Sequence, residues 1–179
     1  MGALLALSKA IDGISKIVGL VGEYLVLLCA LISAFNAMSR YLFNASSNGW
    51  LEIQWYLFAY VVLLGASYTL RNNGHVRVDL IYGNVSPTKR IWVDIFGLIV
   101  FLLPVTAYLT WASWPFFYQS YLGDEMSSNA GGLIRWPVKI LLVLGFGLLF
   151  LQGVSELIKR IGALGGQAEV DTTYEKPLQ

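Results

Sequence analysis

The chain has 179 residues, of which 56% are hydrophobic and 13% are charged, and its formal net charge is +1. One soluble core of this length cannot bury so much apolar surface, so the composition indicates an integral membrane protein. A net charge this close to zero argues against nucleic acid as a partner. The single cysteine, Cys29, excludes a disulfide framework or a thiolate metal cluster within one chain.

Residues 1–16 predict a short amphipathic helix ahead of the first apolar run. Five apolar residues recur three and four positions apart and form one stripe: Leu4, Leu7, Ile11, Ile14 and Val18. Three charged residues lie off that stripe: Lys9, Asp12 and Lys16. We expect this helix either to lie on the inner membrane surface or to extend the first span into the cytoplasm.

Four apolar stretches with few charges are each long enough to cross a hydrocarbon core about 30 Å thick as a helix. They cover about residues 17–43, 50–70, 88–114 and 137–160. Ser86 and Pro87 suit the N-cap and the first position of the third helix. The sequence therefore predicts an all-α membrane domain of four transmembrane helices over residues 17–161. A glycine-rich, polar tail over residues 162–179 is predicted to be disordered.

Basic residues predict the orientation, since Lys and Arg are enriched in cytoplasmic loops. Nine of the twelve fall in the N-terminal segment, the loop after the second span and the tail. The other three, Arg40, Arg135 and Lys139, fall on the opposite side. An even number of spans places both chain ends on one side of the membrane. The pattern therefore predicts that both ends are cytoplasmic, and aromatic residues near both predicted boundaries agree with it.

Every ionisable residue of the spans lies near a span end, and the middle third of each helix carries no charge. Carriers and pumps normally place charged side chains or broken helices near the midplane. The sequence therefore predicts that this chain alone carries no substrate. Arg40 and Glu52 flank the loop between the first two spans, at similar depth in an antiparallel hairpin. We expect them either to form an interhelical ion pair or to extend separately to the headgroups.

The single histidine, His75, stands four residues before Asp79 in the predicted cytoplasmic loop. Some acyltransferases use a His-x-x-x-Asp motif in which histidine is the general base, so a small membrane enzyme is one hypothesis. The loop is short and lacks a nucleophile motif and a glycine-rich phosphate-binding segment. These features favour a polar surface or a docking segment at the membrane edge that contains His75, Arg77 and Asp79. A self-assembling channel or a small exporter is a third hypothesis.

Several motifs along the chain occur together in one known family. They are residues 50–53 (WLEI), 65–68 (GASY), 70–81 (LRNNGHVRVDLI), 136–139 (WPVK) and 152–156 (QGVSE). Together they resemble the small membrane subunit, of the DctQ type, of tripartite ATP-independent periplasmic (TRAP) transporters, over most of residues 17–161. The family's second span often opens with two adjacent carboxylates, whereas here Glu52 is followed by Ile53.

The resemblance implies a multi-pass protein of the bacterial inner membrane with two partners, a large permease subunit and a periplasmic substrate-binding protein. It implies sodium-driven secondary uptake of an organic acid or a related solute. The substrate and sodium sites would lie on the large subunit, so we expect no catalytic residue, metal or cofactor on this chain. The small subunit would brace the static scaffold of the large one.

Charged positions at the span ends are then candidates for partner contact. The candidates near the predicted outer face are Arg40, Glu52, Asp124, Glu125, Arg135 and Lys139, and those near the inner face are Arg71, His75, Arg77 and Asp79. We expect the four that follow the third span, from Asp124 to Lys139, to meet the binding protein. The alternative for them is an ordinary solvated loop.

Overall fold

The computed structural model describes residues 2–75 and 85–168. Its helices are α1 (Gly2–Phe43), α2 (Asn48–Arg71), α3 (Pro87–Gly97), α4 (Leu103–Leu122) and α5 (Trp136–Leu164). A π-helical turn, Leu98–Leu102, joins α3 to α4, so these three segments form one continuous third span. Four helical segments are long and apolar enough to cross a membrane, which confirms the predicted all-α membrane class.

Helix α5 lies at the centre of the bundle, since it packs against α1, α2 and the third span. Helices α1 and α2 form one antiparallel hairpin, and α4 and α5 form a second. Two glycines allow close packing: a Cβ at Gly19 would lie 2.3 Å from the ring of Tyr68, and one at Gly145 would lie 2.8 Å from Leu63. Within the described residues, α1 and the third span make no extensive contact. One side of α1 is therefore left without a partner helix.

Helix α1 is a single helix of 42 residues, which corresponds to about 63 Å at 1.5 Å per residue. Residues 2–16 are helical and continue into the first span without a break. Because the helix is about twice as long as the hydrocarbon core is thick, it must tilt or extend beyond the membrane. Leu4, Leu7 and Ile14 of the predicted apolar stripe are exposed, whereas Ile11 is buried. That residues 1–16 lie on the membrane surface stays a prediction.

The π-helical turn in the third span ends two residues before Pro104. Proline has no backbone N–H, and its ring clashes with the carbonyl group four residues earlier in a regular α-helix. A wider turn relieves that clash. The hydroxyl of Thr106, two residues after this proline, donates a hydrogen bond of 2.7 Å to the carbonyl oxygen of Leu102 at the end of the π-helical turn. The span therefore crosses the proline and continues as α4.

The helix ends agree with the sequence at some positions and differ at others. Ser86 is the N-cap of α3 and Pro87 its first residue, as the sequence predicts. Helix α4 continues to Leu122, about two turns beyond the predicted end of the span at residue 114. Helix α5 ends at Leu164, slightly inside the predicted tail. The rest of that tail from residue 169 lies outside the described residues.

The bundle has two distinct ends. Residues 8–15 of α1 pack against residues 152–160 of α5, so both described chain ends lie together. We call this the terminal end; it also holds the end of α2 and the start of α3. The opposite end holds loop 44–47 and loop 123–135, and we call it the hairpin end.

Candidate functional site

Glu52 organises the hairpin end. It lies in the first turns of α2 and is only 5% exposed. Its carboxylate accepts three hydrogen bonds from loop 123–135: from the hydroxyl of Ser127, from Nδ2 of Asn129 at 2.8 Å, and from the backbone N–H of Leu133 at 2.6 Å. A buried carboxylate without donors carries a large desolvation cost. These bonds therefore hold the loop against α2.

Loop 123–135 has further anchors besides the glutamate. Met126 and Ile134 form an isolated antiparallel bridge across it. The hydroxyl of Tyr56 on α2 donates a hydrogen bond of 3.0 Å to the carbonyl oxygen of Ile134. Gly132 lies so close to α2 that a Cβ there would stand 2.9 Å from the carboxylate of Glu52. The loop thus has a defined shape at the edge of the bundle.

Three of the predicted docking residues meet at this loop: Glu125 and Arg135 lie in it, and Lys139 lies in the first turn of α5. The ammonium group of Lys139 donates a hydrogen bond to Glu125 and lies 4.0 Å from the ring centre of Phe116. The guanidinium of Arg135 lies 4.0 Å from the same carboxylate. The hydrogen bond from Lys139 lowers the pKa of Glu125 below its usual value of 4.5. Asp124 is exposed beside them, with a positive φ of 41°.

The predicted ion pair between Arg40 and Glu52 is wrong. Glu52 faces loop 123–135, where three donors already satisfy its carboxylate. Arg40 lies in the last turn of α1, is exposed, and forms no ion pair with a described residue. The loop provides backbone and neutral side-chain donors at hydrogen-bond distance, so the glutamate needs no cation from α1.

Two of the remaining candidates, Arg71 and His75, belong to the terminal end and do not join the hairpin-end group. Arg71 ends α2, and its guanidinium donates a hydrogen bond of 3.3 Å to the side chain of Asn72. His75 is exposed. Arg77 and Asp79 lie outside the described residues. The hypotheses of catalysis by His75 with Asp79 and of docking at this loop therefore stay predictions.

The terminal end holds a polar network that the sequence reasoning does not identify. It draws side chains from three helices: Ser8, Asp12 and Ser15 of α1, Asp94 of α3, and Gln152, Ser155, Glu156, Lys159 and Arg160 of α5. We call this group the terminal network. On α1 and α5 its members recur three and four residues apart. That spacing is the signal by which a shared polar face could have been found.

Ion pairs link the three helices of the terminal network. Arg160 is 4% exposed; its Nε lies 2.9 Å from the carboxylate of Asp94, and another of its nitrogens pairs with Glu156. Lys159 pairs with Glu156 and lies 3.0 Å from the carboxylate of Asp12. Each cation thus contacts two acids, and the ion pairs tie α1 and α3 to α5.

Neutral hydrogen bonds complete the network between α1 and α5. The hydroxyl groups of Ser8 and Ser155 lie 2.7 Å apart. The hydroxyl of Ser15 donates to Oε1 of Gln152 at 2.7 Å, and Nε2 of Gln152 donates to Asp12 at 2.8 Å. Gln152 and Ser15 have no exposed surface. The polar face of residues 8–15, rather than most of the apolar stripe, therefore packs against the bundle.

Comparison with known proteins gives one match. The family model described as "Tripartite ATP-independent periplasmic transporters, DctQ component" matches residues 29–163, about three quarters of the chain. That range includes Glu52, loop 123–135 and the α5 part of the terminal network. No curated protein and no solved structure matches the chain.

Proposed function

The chain belongs to the DctQ family, the small membrane component of tripartite ATP-independent periplasmic transporters, and we propose that it braces the large permease subunit and helps to dock the binding protein. In this proposal the transporter takes up an organic acid or a related solute. The substrate and sodium sites then lie on the large subunit. The small subunit contributes a fixed surface in the membrane and another in the periplasm.

The distribution of polar contacts along the bundle carries the bracing proposal. Glu52 holds the hairpin end and the terminal network holds the other end. Between these two regions α5 has no charge from Lys139 to Glu156, and α2 has none from Glu52 to Arg71. A substrate-carrying bundle normally has polar side chains or unwound backbone at the midplane. Helix α5, which is held by ion pairs near both ends and is apolar between them, suits a rigid brace.

We assign the contact with the large subunit to an exposed face of α1. Glu23 lies on this face and makes no hydrogen bond or ion pair with a described residue. Gly19 packs against Tyr68 in the antiparallel hairpin, so Glu23 lies about 10 Å inside the end of α2 at 1.5 Å per residue. Placing an ionised carboxylate at that depth costs desolvation free energy unless a cation pairs with it. We therefore propose that a basic residue of the large subunit pairs with Glu23.

Small residues on the same face support a close approach. Ala30, Ala34 and Ala37 follow Glu23 at helical spacing, and all three are exposed. Small side chains allow two membrane helices to pack with their backbones close together. The face would thus combine a charge for pairing with a smooth surface for contact.

We place the hairpin end in the periplasm and both chain ends in the cytoplasm, which agrees with nine basic residues on one side and three on the other. Loop 123–135 then faces the binding protein. Because Glu52 holds the loop, its charged side chains need little ordering on contact, which favours docking. The candidates for that contact are Asp124, Glu125, Arg135 and Lys139.

Co-expression with the large permease subunit of its transporter tests the function. We expect the tagged chain to purify with the large subunit and uptake to be lost when the chain is deleted. Purification of the chain alone, together with normal uptake after deletion, would overturn the function itself.

Two charge reversals separate the two proposed surfaces. Glu23→Lys should lose the large subunit on purification. Asp124→Lys, which reverses an exposed acid of the loop, should keep the large subunit but require more binding protein for half-maximal uptake. If Glu23→Lys retains the large subunit, the face on α1 is wrong although the function stands. If Asp124→Lys leaves the requirement unchanged, the docking role of this position is wrong.

A further inference from the structure

A groove opens sideways between α2, α4 and α5, just below loop 123–135. Its volume is about 410 Å³, within the range of about 300–1,000 Å³ typical of small-molecule sites. The helices line it with apolar side chains: Trp55, Ala59 and Leu63 from α2, Phe116 from α4, and Val138 and Leu142 from α5. Since residues 135 to 142 span seven positions of helix, the groove runs about 10 Å into the membrane from its lip.

Three charged residues line the groove, all of them at its lip: Glu52, Arg135 and Lys139. Arg135 lines it there, its side chain is 43% exposed, and its guanidinium makes no hydrogen bond with a described residue. Its nearest acid, Glu125, is 4.0 Å away and already accepts a hydrogen bond from Lys139. The five N–H donors of a guanidinium suit a phosphate group, which can accept two parallel bonds. The lip therefore offers a cation with unused donors beside an apolar groove.

The position of Trp55 places this lip at the membrane boundary. It lines the groove and is 68% exposed, and Trp136 directly follows Arg135 in the chain. Tryptophan is enriched where headgroups meet hydrocarbon. Phosphate groups of the bilayer lie at this level, and acyl chains lie below it.

We propose that the groove binds one phospholipid, with its phosphate on Arg135 and part of an acyl chain between α2 and α5. Charge complementarity selects this occupant. Glu52 is already satisfied by its loop donors and Lys139 by Glu125. This leaves Arg135 as the half-exposed cation with unused donors above hydrocarbon side chains. A transmembrane helix fits less well, since two turns of a cylinder about 10 Å across exceed the volume available. The site does not depend on the transport function, because it lies wholly within this chain.

Native mass spectrometry of the full-length chain, freed of lipid in detergent and titrated with phosphatidylethanolamine, tests the site. We expect one lipid adduct that saturates. Arg135→Gln should weaken it about tenfold, since a charge-assisted hydrogen bond is lost. Ala59→Phe should also remove it, because the ring fills the groove while the arginine remains. Arg40→Gln, an exposed arginine at the same end that does not line the groove, is the matched control and should bind as the unaltered chain does.

Three outcomes would overturn the proposal. In the first, Arg135→Gln and Ala59→Phe both bind the lipid as the unaltered chain does. In the second, Arg40→Gln loses as much affinity for the lipid as Arg135→Gln does, which would indicate a general attraction of lipid to basic residues. In the third, the adduct is absent from the complex with the large subunit, which would show that the partner, not a lipid, fills the groove. Thermal unfolding of each variant verifies that it is folded.

Discussion

The hairpin end and the terminal end are both held by buried or partly buried carboxylates, but the partners of those carboxylates differ. At the hairpin end, Glu52 accepts hydrogen bonds from neutral donors, and all of them belong to one loop. At the terminal end, Glu156, Asp12 and Asp94 pair with cations, and the pairs connect three helices. The same chemical group therefore orders a loop at one end and joins helices at the other.

This difference suggests that the two ends tolerate change differently. A loop that loses its anchor can move while the helices stay packed. A helix junction that loses Arg160 leaves Asp94 without its ion pair and Glu156 with Lys159 as its remaining cation, which is more costly. The free energy of unfolding should therefore depend more on the contacts of the terminal end. The shape of loop 123–135 should depend more on the contacts of Glu52 at the hairpin end.

The largest effect is expected at Arg160. Replacing it with methionine leaves Asp94 without its ion pair, while Glu156 keeps Lys159. Since part of the network stays paired, we expect the loss of unfolding free energy at the lower end of the range of about 3–5 kcal/mol that breaking a buried pair costs. Thermal unfolding of the purified chain in detergent measures the loss. Arg40→Met, at an exposed arginine, should change stability by less than about 0.5 kcal/mol.

Removal of the acids as well sharpens this prediction. The triple variant Arg160→Met with Glu156→Gln and Asp94→Asn has no unpaired charge left and should recover much of the loss. If Arg160→Met unfolds at the same temperature as the unaltered chain, the terminal network does not hold the helices together.

A smaller effect is expected at Glu52. Glu52→Leu keeps a similar size but removes both acceptor oxygens, so the buried backbone N–H of Leu133 loses its partner, which costs about 1–3 kcal/mol. The loop should then open, and trypsin should cut after Arg135 faster, with cleavage after Arg71 at the other end unchanged. Asp124→Asn alters an exposed acid of the same loop and should not change either rate. Equal acceleration at both ends would contradict the assignment of Glu52 to the loop alone.

The smallest effect is expected for the pair of Glu125 and Lys139. Since the hydrogen bond from Lys139 lowers the pKa of Glu125, the ionised form stabilises the folded state above the usual value of 4.5. That contribution should disappear as the pH falls through the lowered pKa. The pair is partly exposed, so the change should be slight. The difference in unfolding temperature between the unaltered chain and Glu125→Gln, measured against pH, should shrink below 4.5. A difference in unfolding temperature that stays constant with pH would contradict a stabilising role of the ionised Glu125.

The fold follows from the sequence largely because lipid imposes simple rules. The length of the apolar stretches predicts the four spans, and a serine followed by a proline predicts the start of α3 at Pro87. The continuity of α1 is harder to predict. Three charged residues, Lys9, Asp12 and Lys16, suggest that the span does not extend through them. Asp12 nevertheless packs against the bundle, because Lys159 pairs with it. The chain therefore keeps one helix where hydropathy alone indicates a boundary.

The partners of charged residues could not be read from the sequence. Glu52 lies close to Arg40 along the chain, but its donors stand 75 to 81 residues away. Their position depends on how the second hairpin packs against the first. Likewise Asp94 and Arg160 are separated by 66 residues and meet only because α3 packs on α5. Spacing identifies a polar face on one helix, whereas pairing requires the tertiary arrangement.

A disulfide between α1 and α5 tests most directly whether this chain is a static brace. The hydroxyl groups of Ser8 and Ser155 lie 2.7 Å apart, a separation that suits replacement of both by cysteine, with Cys29→Ala to remove the native thiol. Solute uptake is measured in proteoliposomes that contain the permease subunit and the binding protein, before and after oxidation. A static brace predicts equal uptake rates when the disulfide is open and when it is closed. Uptake that stops on oxidation and returns on reduction would show that α1 moves against α5 during transport, and would contradict the account.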